Sequence, residues 1–205
     1  MTWPEIITVA KDILLGLAAA TTAIVAALGL RKWRQELEGK AHFEAARNLI
    51  RATYRFRDAL YDSRTPFYSA HEFPPGYTGI LGKHTSEEEV KAWIHIYKNR
   101  WAPVMTALQE FDSHTLEAEA LWGPTIRTKT NALRQCAREL NGAIDADIRN
   151  KADGGQHFEK DKKFGELMRS LLAAPREDEK NPLNQQIGRA ISGIEEEVRP
   201  HLRRS

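Results

Sequence analysis

Eighteen uncharged residues, Ile13 to Leu30, run directly into Arg31, Lys32 and Arg34. Few structures accommodate such a run. As a helix it spans about 27 Å, just short of the roughly 30 Å hydrocarbon core of a bilayer. Including Ile6 to Ala10 gives the span a margin, and Lys11 and Asp12 can then extend toward the outer interface. Trp3 and Trp33 stand near the two ends, where amphipathic rings favour the headgroup level.

Three fates compete for this segment. A cleavable secretion signal wants positive charge before the apolar run and small residues at a cleavage site. Ala27-Leu28-Gly29 is a passable site, but the charge is misplaced. Residues 1–30 carry Glu5, Lys11 and Asp12, a net of −1, whereas 31–62 carry eight Lys/Arg against five Asp/Glu, a net of +3. The remaining residues balance, with 21 of each sign. A buried core helix would leave both the flanking cations and the Trp pair unexplained. A transmembrane anchor, spanning about residues 6–30, accounts for them.

The positive-inside tendency then orients the chain. Arg31, Lys32, Arg34 and Lys40 place the C-terminal part in the cytoplasm and the N-terminus outside, as in a bacterial inner membrane. The single Cys136 agrees, since a reducing compartment requires no disulfide framework. The bilayer is the first expected partner. Nucleic acid is disfavoured, because the excess positive charge is local rather than spread over a basic surface.

Ala19, Ala23 and Ala27 form a ridge of small residues, with Gly16 and Ala20 beside it. Such ridges let helix backbones approach closely in lipid, where packing drives association. The expectation is a homo-oligomer; the plainer reading is that Ala serves as filler in a single-pass span.

The chain divides into an anchor at 1–32, a helical stalk that becomes the first bundle helix at 33–62, and the rest of a helical bundle at 63–205. No Gly, Pro or turn cluster interrupts the helix from Lys40 to Asp62. Glu44, Arg47, Arg51, Arg55, Asp58 and Asp62 recur at steps of 3 and 4, opposite Ala46, Leu49, Ile50, Thr53, Phe56 and Leu60. Residues 63–86 hold three prolines and three glycines among Phe67, Tyr68, Phe73 and Tyr77, which predicts an ordered loop with packing aromatics. Ser86 and Glu89 predict a capping box and a helix start near Glu87.

Beyond it, Trp93, Tyr97, Trp101, Val104, Leu108, Phe111, Thr115, Ala118 and Trp122 follow steps of 3 and 4. That is a seam for packing on another helix at a shallow angle, with a kink or break expected over 99–102 before Pro103. After Gly123-Pro124 the pattern resumes through Ile126, Thr130, Leu133, Ala137, Leu140, Ile144 and Ile148. A two-residue break between matched seams predicts an antiparallel helical hairpin. A shorter helix over Phe158–Ala173 and a last one through Leu183, Ile187, Ile191, Ile194, Val198 and Leu202 complete an all-α fold.

Chemistry is sparse. Arg47, Arg51 and Arg55 repel mildly along one face, so a counter-charge is expected: Glu117 and Glu119 of a neighbouring helix, or an anionic ligand. Lipid headgroups are out of reach. Arg47 lies about 24 Å beyond Arg31 by helical rise, against a Debye length of roughly 8 Å. Glu110 with His114, His71 with Glu72, and His157 with Glu159 are isolated pairs, and no second Glu-x-x-His set exists for a metal site. Cys136 beside the seam reads as a buried thiol. Gly-rich phosphate loops, Gly-x-Ser-x-Gly and zinc spacings are missing from the sequence. Neither cofactor nor metal is expected, and an enzyme has no recognisable residue set to use.

The segments "LRKWRQELEGKAHFEAARNLI", "RDALYDSRTPF" and "EAEALWG" resemble bacterial single-pass membrane proteins of uncharacterised function, in which an N-terminal transmembrane helix continues into an all-helical cytoplasmic domain. The resemblance covers about a quarter of the chain. It implies a bacterial or phage origin and an inner-membrane anchor, and it carries over neither an activity nor site residues. The expected function is an interaction or sensing module, with contact surfaces at the Arg ladder and at Phe67, Tyr68, His71 and Tyr77. The alternative is a membrane-perturbing effector, as in phage defence, whose anchors assemble on a cytoplasmic trigger; a third reading is a helical enzyme with an unrecognised site, which would need Glu110, His114 or His71.

Overall fold

The computed structural model describes residues 3–77 and 85–202, without the side chains of 4–10 and 12. Six α-helices make up the fold: α1 (Trp3–Ser63), α2 (Ser86–Trp122), α3 (Thr125–Ala152), α4 (Gln156–Lys160), α5 (Lys162–Leu172) and α6 (Pro182–Leu202). Among the described residues between α1 and α2 there is one 3-10 turn, Ala70–Glu72. No strand occurs among the described residues.

α1 is one helix of 61 residues with two kinds of surface. From Ile13 to Ala41 every side chain is exposed. From Ala45 onward one face closes completely, and Ala45, Ala46, Leu49, Ala52, Phe56 and Leu60 have no exposed surface. Thr53 sits on this face because its hydroxyl donates to the Leu49 carbonyl one turn back, 2.7 Å away.

The last third of α1 packs on α2 and α6, and α3 packs on α2, α5 and α6. Phe56 of α1 meets Phe111 of α2 at a ring separation of 5.3 Å. Tyr97, Val104, Phe111, Thr115 and Ala118 of α2 are buried, as are all the seam positions of α3 from Ile126 to Ile144. Gly123 and Pro124 alone separate α2 from α3, and Gly123 adopts a φ of 83°, open to glycine at little cost. Asp112 pairs with Arg134 and Glu119 with Arg127, so residues later in α2 meet residues earlier in α3.

Three local details differ from the sequence reading. The capping box of α2 uses Thr85 and Glu88, one residue earlier than expected: Thr85 Oγ1 accepts from the Glu88 N–H, and Glu88 accepts from the Thr85 N–H. Two overlapping boxes stand in "TSEEE", and the earlier one forms. α2 also runs unbroken through Pro103, where one missing N–H leaves the turns held by the burial of Val104 and by Trp101 against the core. The helix expected over Phe158–Ala173 is split at Asp161, whose carboxylate accepts from the Phe164 N–H and so starts α5. Gly165 lets α5 close on α4, since a Cβ there would come within 2.8 Å of Phe158 Cβ.

Arg64, just past the end of α1, is wholly buried. Its Nε donates to Leu171 O (2.6 Å), Nη1 to Asn184 Oδ1 (2.5 Å), and Nη2 to Asn181 Oδ1 (2.9 Å) and Ser170 O (3.1 Å). These partners are all neutral. Burial lowers the guanidinium to a pKa of about 10, so it stays charged near neutrality. One side chain thereby ties the end of α1 to the end of α5 and the start of α6.

Candidate functional site

The segment after α1 is held against α2 by Arg100. Its guanidinium donates to both oxygens of Glu72 (2.5 and 3.0 Å), to Thr65 O (2.6 Å) and to Phe67 O (2.6 Å), and lies 4.1 Å above the Tyr68 ring. Hydrogen bonding to Arg100 holds the Glu72 carboxyl down to about 2, with the Ser69 N–H adding to the effect. This clamp decides which aromatics are available. Tyr68 meets Trp93 edge-on at 4.9 Å, and Phe73 stacks on Tyr77 at 5.2 Å. Phe67 turns outward and is 82% exposed, and His71 in the 3-10 turn is exposed too.

Behind the aromatics, the Tyr97 hydroxyl donates to Asp147 Oδ2 at 2.7 Å. Lys151 Nζ lies 3.7 Å from the same carboxylate and 4.1 Å over the Trp93 ring. Burial pushes the Tyr97 phenol up, and the Asp147 charge pushes it further. A phenol held protonated and a carboxylate already bonded form a cross-brace between α2 and α3, with no free base for catalysis.

A groove of about 940 Å³ runs between the end of α1, the 63–72 segment and α2, with Phe67 on its rim. Most of its charges are set in pairs. Arg55 meets Glu110 at 2.7 Å, Asp58 meets Arg176 at 2.5 Å, and Glu72 meets Arg100. Arg57 and Arg176 hold the Asp58 carboxyl below its ordinary value, overcoming its burial.

The Arg ladder divides. Arg55 is engaged by Glu110, while Arg47 and Arg51 are exposed and make no ion pair among the described residues. Glu117 and Glu119 are not their counter-charges: Glu117 faces His114 on its own helix, and Glu119 takes Arg127 of α3. Helix register explains the correction, because Glu110 is the carboxylate of α2 that reaches α1 at the level of Arg55.

A second constellation sits where α1 enters the bundle. Trp122 Nε1 donates to His42 Nδ1 at 2.8 Å, and His201 of α6 stacks on the Trp122 indole at 4.2 Å. The geometry requires His42 to present an unprotonated Nδ1. Burial lowers the His201 pKa, and the neighbouring His42 lowers it further. The three rings join α1, α2 and α6 at one level.

Among the described residues, no group of three or more His, Cys, Asp or Glu is placed to hold a metal ion. Cys136 is buried, and burial pushes its thiol up to about 11. The apolar N-terminal part of α1 carries its marked residues outward: Trp3, Arg31, Lys32, Trp33 and Arg34 are exposed, as are Gly16, Ala19, Ala20, Ala23 and Ala27. His42, Arg64, Arg100, Asp147, Asn181, Asn184 and His201 carry much of this geometry and were not singled out by pattern. No protein-family model, curated protein or solved structure matches the chain. The bacterial resemblance therefore stands on its three sequence segments alone.

Proposed function

We propose that this chain is a single-pass inner-membrane protein whose cytoplasmic bundle, built on the α2–α3 antiparallel hairpin, acts as an interaction or sensing module in a homo-oligomer. The observation that carries the proposal is the exposed apolar part of α1. Ile13, Leu14, Leu15, Leu17, Ile24, Val25, Leu28 and Leu30 are each more than half exposed. At about 1.5–3 kcal/mol per buried side chain, covering these eight is worth roughly 10–25 kcal/mol. That matches or exceeds the whole stability of a domain, about 5–15 kcal/mol. The most apolar 18-residue window has a mean hydropathy of 2.3, and none of it is buried within the chain. Lipid supplies the missing cover, with Trp3 and Trp33 at the two interfaces and Arg31, Lys32 and Arg34 on the cytoplasmic side. A core helix would be buried, and a secretion signal would carry its positive charge ahead of the apolar run.

The module reading is supported by the grooved, charge-paired face around Phe67. The oligomer reading is supported by the exposed ridge of Gly16, Ala19, Ala23 and Ala27. Alkaline carbonate extraction of membranes, with a C-terminal fluorescent-protein or alkaline-phosphatase fusion, tests the location and topology. Retention in the pellet, a bright fluorescent fusion and an inactive phosphatase are expected. Release into the supernatant would refute the anchor. Depolarisation on expression, lost on widening the ridge with Ala23→Leu, would favour a membrane-perturbing effector instead.

A further inference from the structure

A cleft of about 570 Å³ lies between α3, α5 and α6, apart from the Arg100 groove. Its floor is cut down to Gly142, Ala143 and Ala146 on one stripe of α3. Its wall is bulky and apolar: Phe164, Leu167, Met168 and Leu171, one stripe of α5. Leu167 is 48% exposed because nothing stands opposite it. Gly142 is the glycine of this floor. Glycine inside a helix is poorly tolerated, and it is normally kept where a neighbour approaches closely. Here a Cβ would meet nothing within 4 Å. The missing side chain leaves the cleft open and relieves no contact.

The polar groups are divided between the two ends. Glu139 stands at one end of the α3 stripe, Arg149 and His157 at the other. The stripe from Glu139 to Arg149 is about 15 Å long. The volume falls in the range of small-ligand sites, about 300–1,000 Å³. Arg149 donates Nε to the Asp145 carbonyl, and among the described residues its guanidinium has no other partner, which leaves it able to take an anionic head.

We infer that this cleft binds an amphipathic monoanion with one medium-length alkyl chain, such as dodecanoate, its chain along the α5 wall and its carboxylate at Arg149 and His157. The source is the aqueous phase. Arg149 lies in the last turn of α3, about 35 Å along that helix from Ile126, which is near the level where α1 enters the bundle. Lipid in the bilayer does not reach so far. This statement of source rests on the membrane proposal; the cleft does not.

The test is photolabelling of full-length protein in native membranes with a dodecanoate carrying a terminal diazirine, mapped by peptide mass spectrometry. Label is expected on α3 and α5 peptides. Gly142→Leu fills the cleft with a better helix former. It should cut cleft labelling by at least about tenfold, with the thermal midpoint held or raised. Gly188→Leu on α6 also meets open space, lies off the cleft lining, and should leave labelling unchanged. Arg149→Gln should weaken labelling about tenfold, as should the alcohol analogue on the unaltered protein. Cleft label that survives Gly142→Leu, or label confined to residues 13–30, would overturn the site. Equal labelling by the alcohol would overturn the anionic head. Loss of carbonate-resistant membrane association with the cleft label intact would refute the anchor alone.

Discussion

The two parts of α1 obey the same helical geometry and present different surfaces. From Ala45 to Leu60 the helix is amphipathic, and its apolar face has no exposed surface. From Ile13 to Leu30 it is apolar all round, and every side chain is exposed. A helix in water hides one stripe, so its sequence alternates at steps of 3 and 4. A helix in lipid has no side to hide, so its sequence loses the alternation and keeps only length. On the membrane proposal, the contrast separates what stabilises the bundle from what locates it.

Substitutions that cost the bundle should therefore be silent in the span, and the reverse. The largest loss is expected from Arg64→Met, which takes the donor from Asn184 Oδ1 and the Leu171 carbonyl in a buried site and one of the donors from Asn181 Oδ1 and the Ser170 carbonyl. A drop of at least about 3 kcal/mol in unfolding free energy, read by denaturant titration, is expected. Phe56→Ala removes a ring packed on Phe111 and should cost about 3–5 kcal/mol. Leu17→Ala, on the same helix, should leave the bundle's thermal midpoint where it was; a matching loss would erase the contrast. Thr85→Ala removes the cap of α2 and should cost about 1 kcal/mol.

Smaller still is the effect of acid at the junction of the two parts. The folded-state pKa of His201 lies below its ordinary value of 6.5, so the unfolded chain takes up a proton first as pH falls. The contribution of His201 is complete above pH 6.5 and declines below it, with Glu197 opposing part of the shift. Trp122 fluorescence should change over the same interval, and His201→Gln should flatten the response. A pH-independent Trp122 signal would contradict the stacked arrangement.

The all-helical fold and the buried faces of α1, α2, α3 and α6 were legible in the sequence, because each buries one side and so repeats at helical spacing. Contacts made by polar side chains across long separations were not. Arg64 finds its acceptors 106 to 120 residues later, and nothing in "DSRTP" distinguishes it from a surface cation. Arg100 reaches back 28 to 35 residues to build the loop clamp, and Trp122 meets His42 across 80. Within the candidate site, the aromatics of the loop were visible as a group. Which of them faces outward was not, since the Arg100 clamp turns Tyr68 inward and leaves Phe67 free. Residues 78–84 of that loop lie outside the described residues.

The central claim, one helix in two solvents, is tested most directly by cysteine scanning. In a Cys136→Ser background, single cysteines replace Leu14, Ala19, Ile24 and Leu28, then Leu37, Glu44, Arg47 and Arg51. All eight positions are exposed in the isolated chain. Open membranes are then treated with a charged maleimide that cannot enter lipid. Protection at the first four and full reaction at the last four is the expected result. Equal reactivity along the whole helix would contradict it.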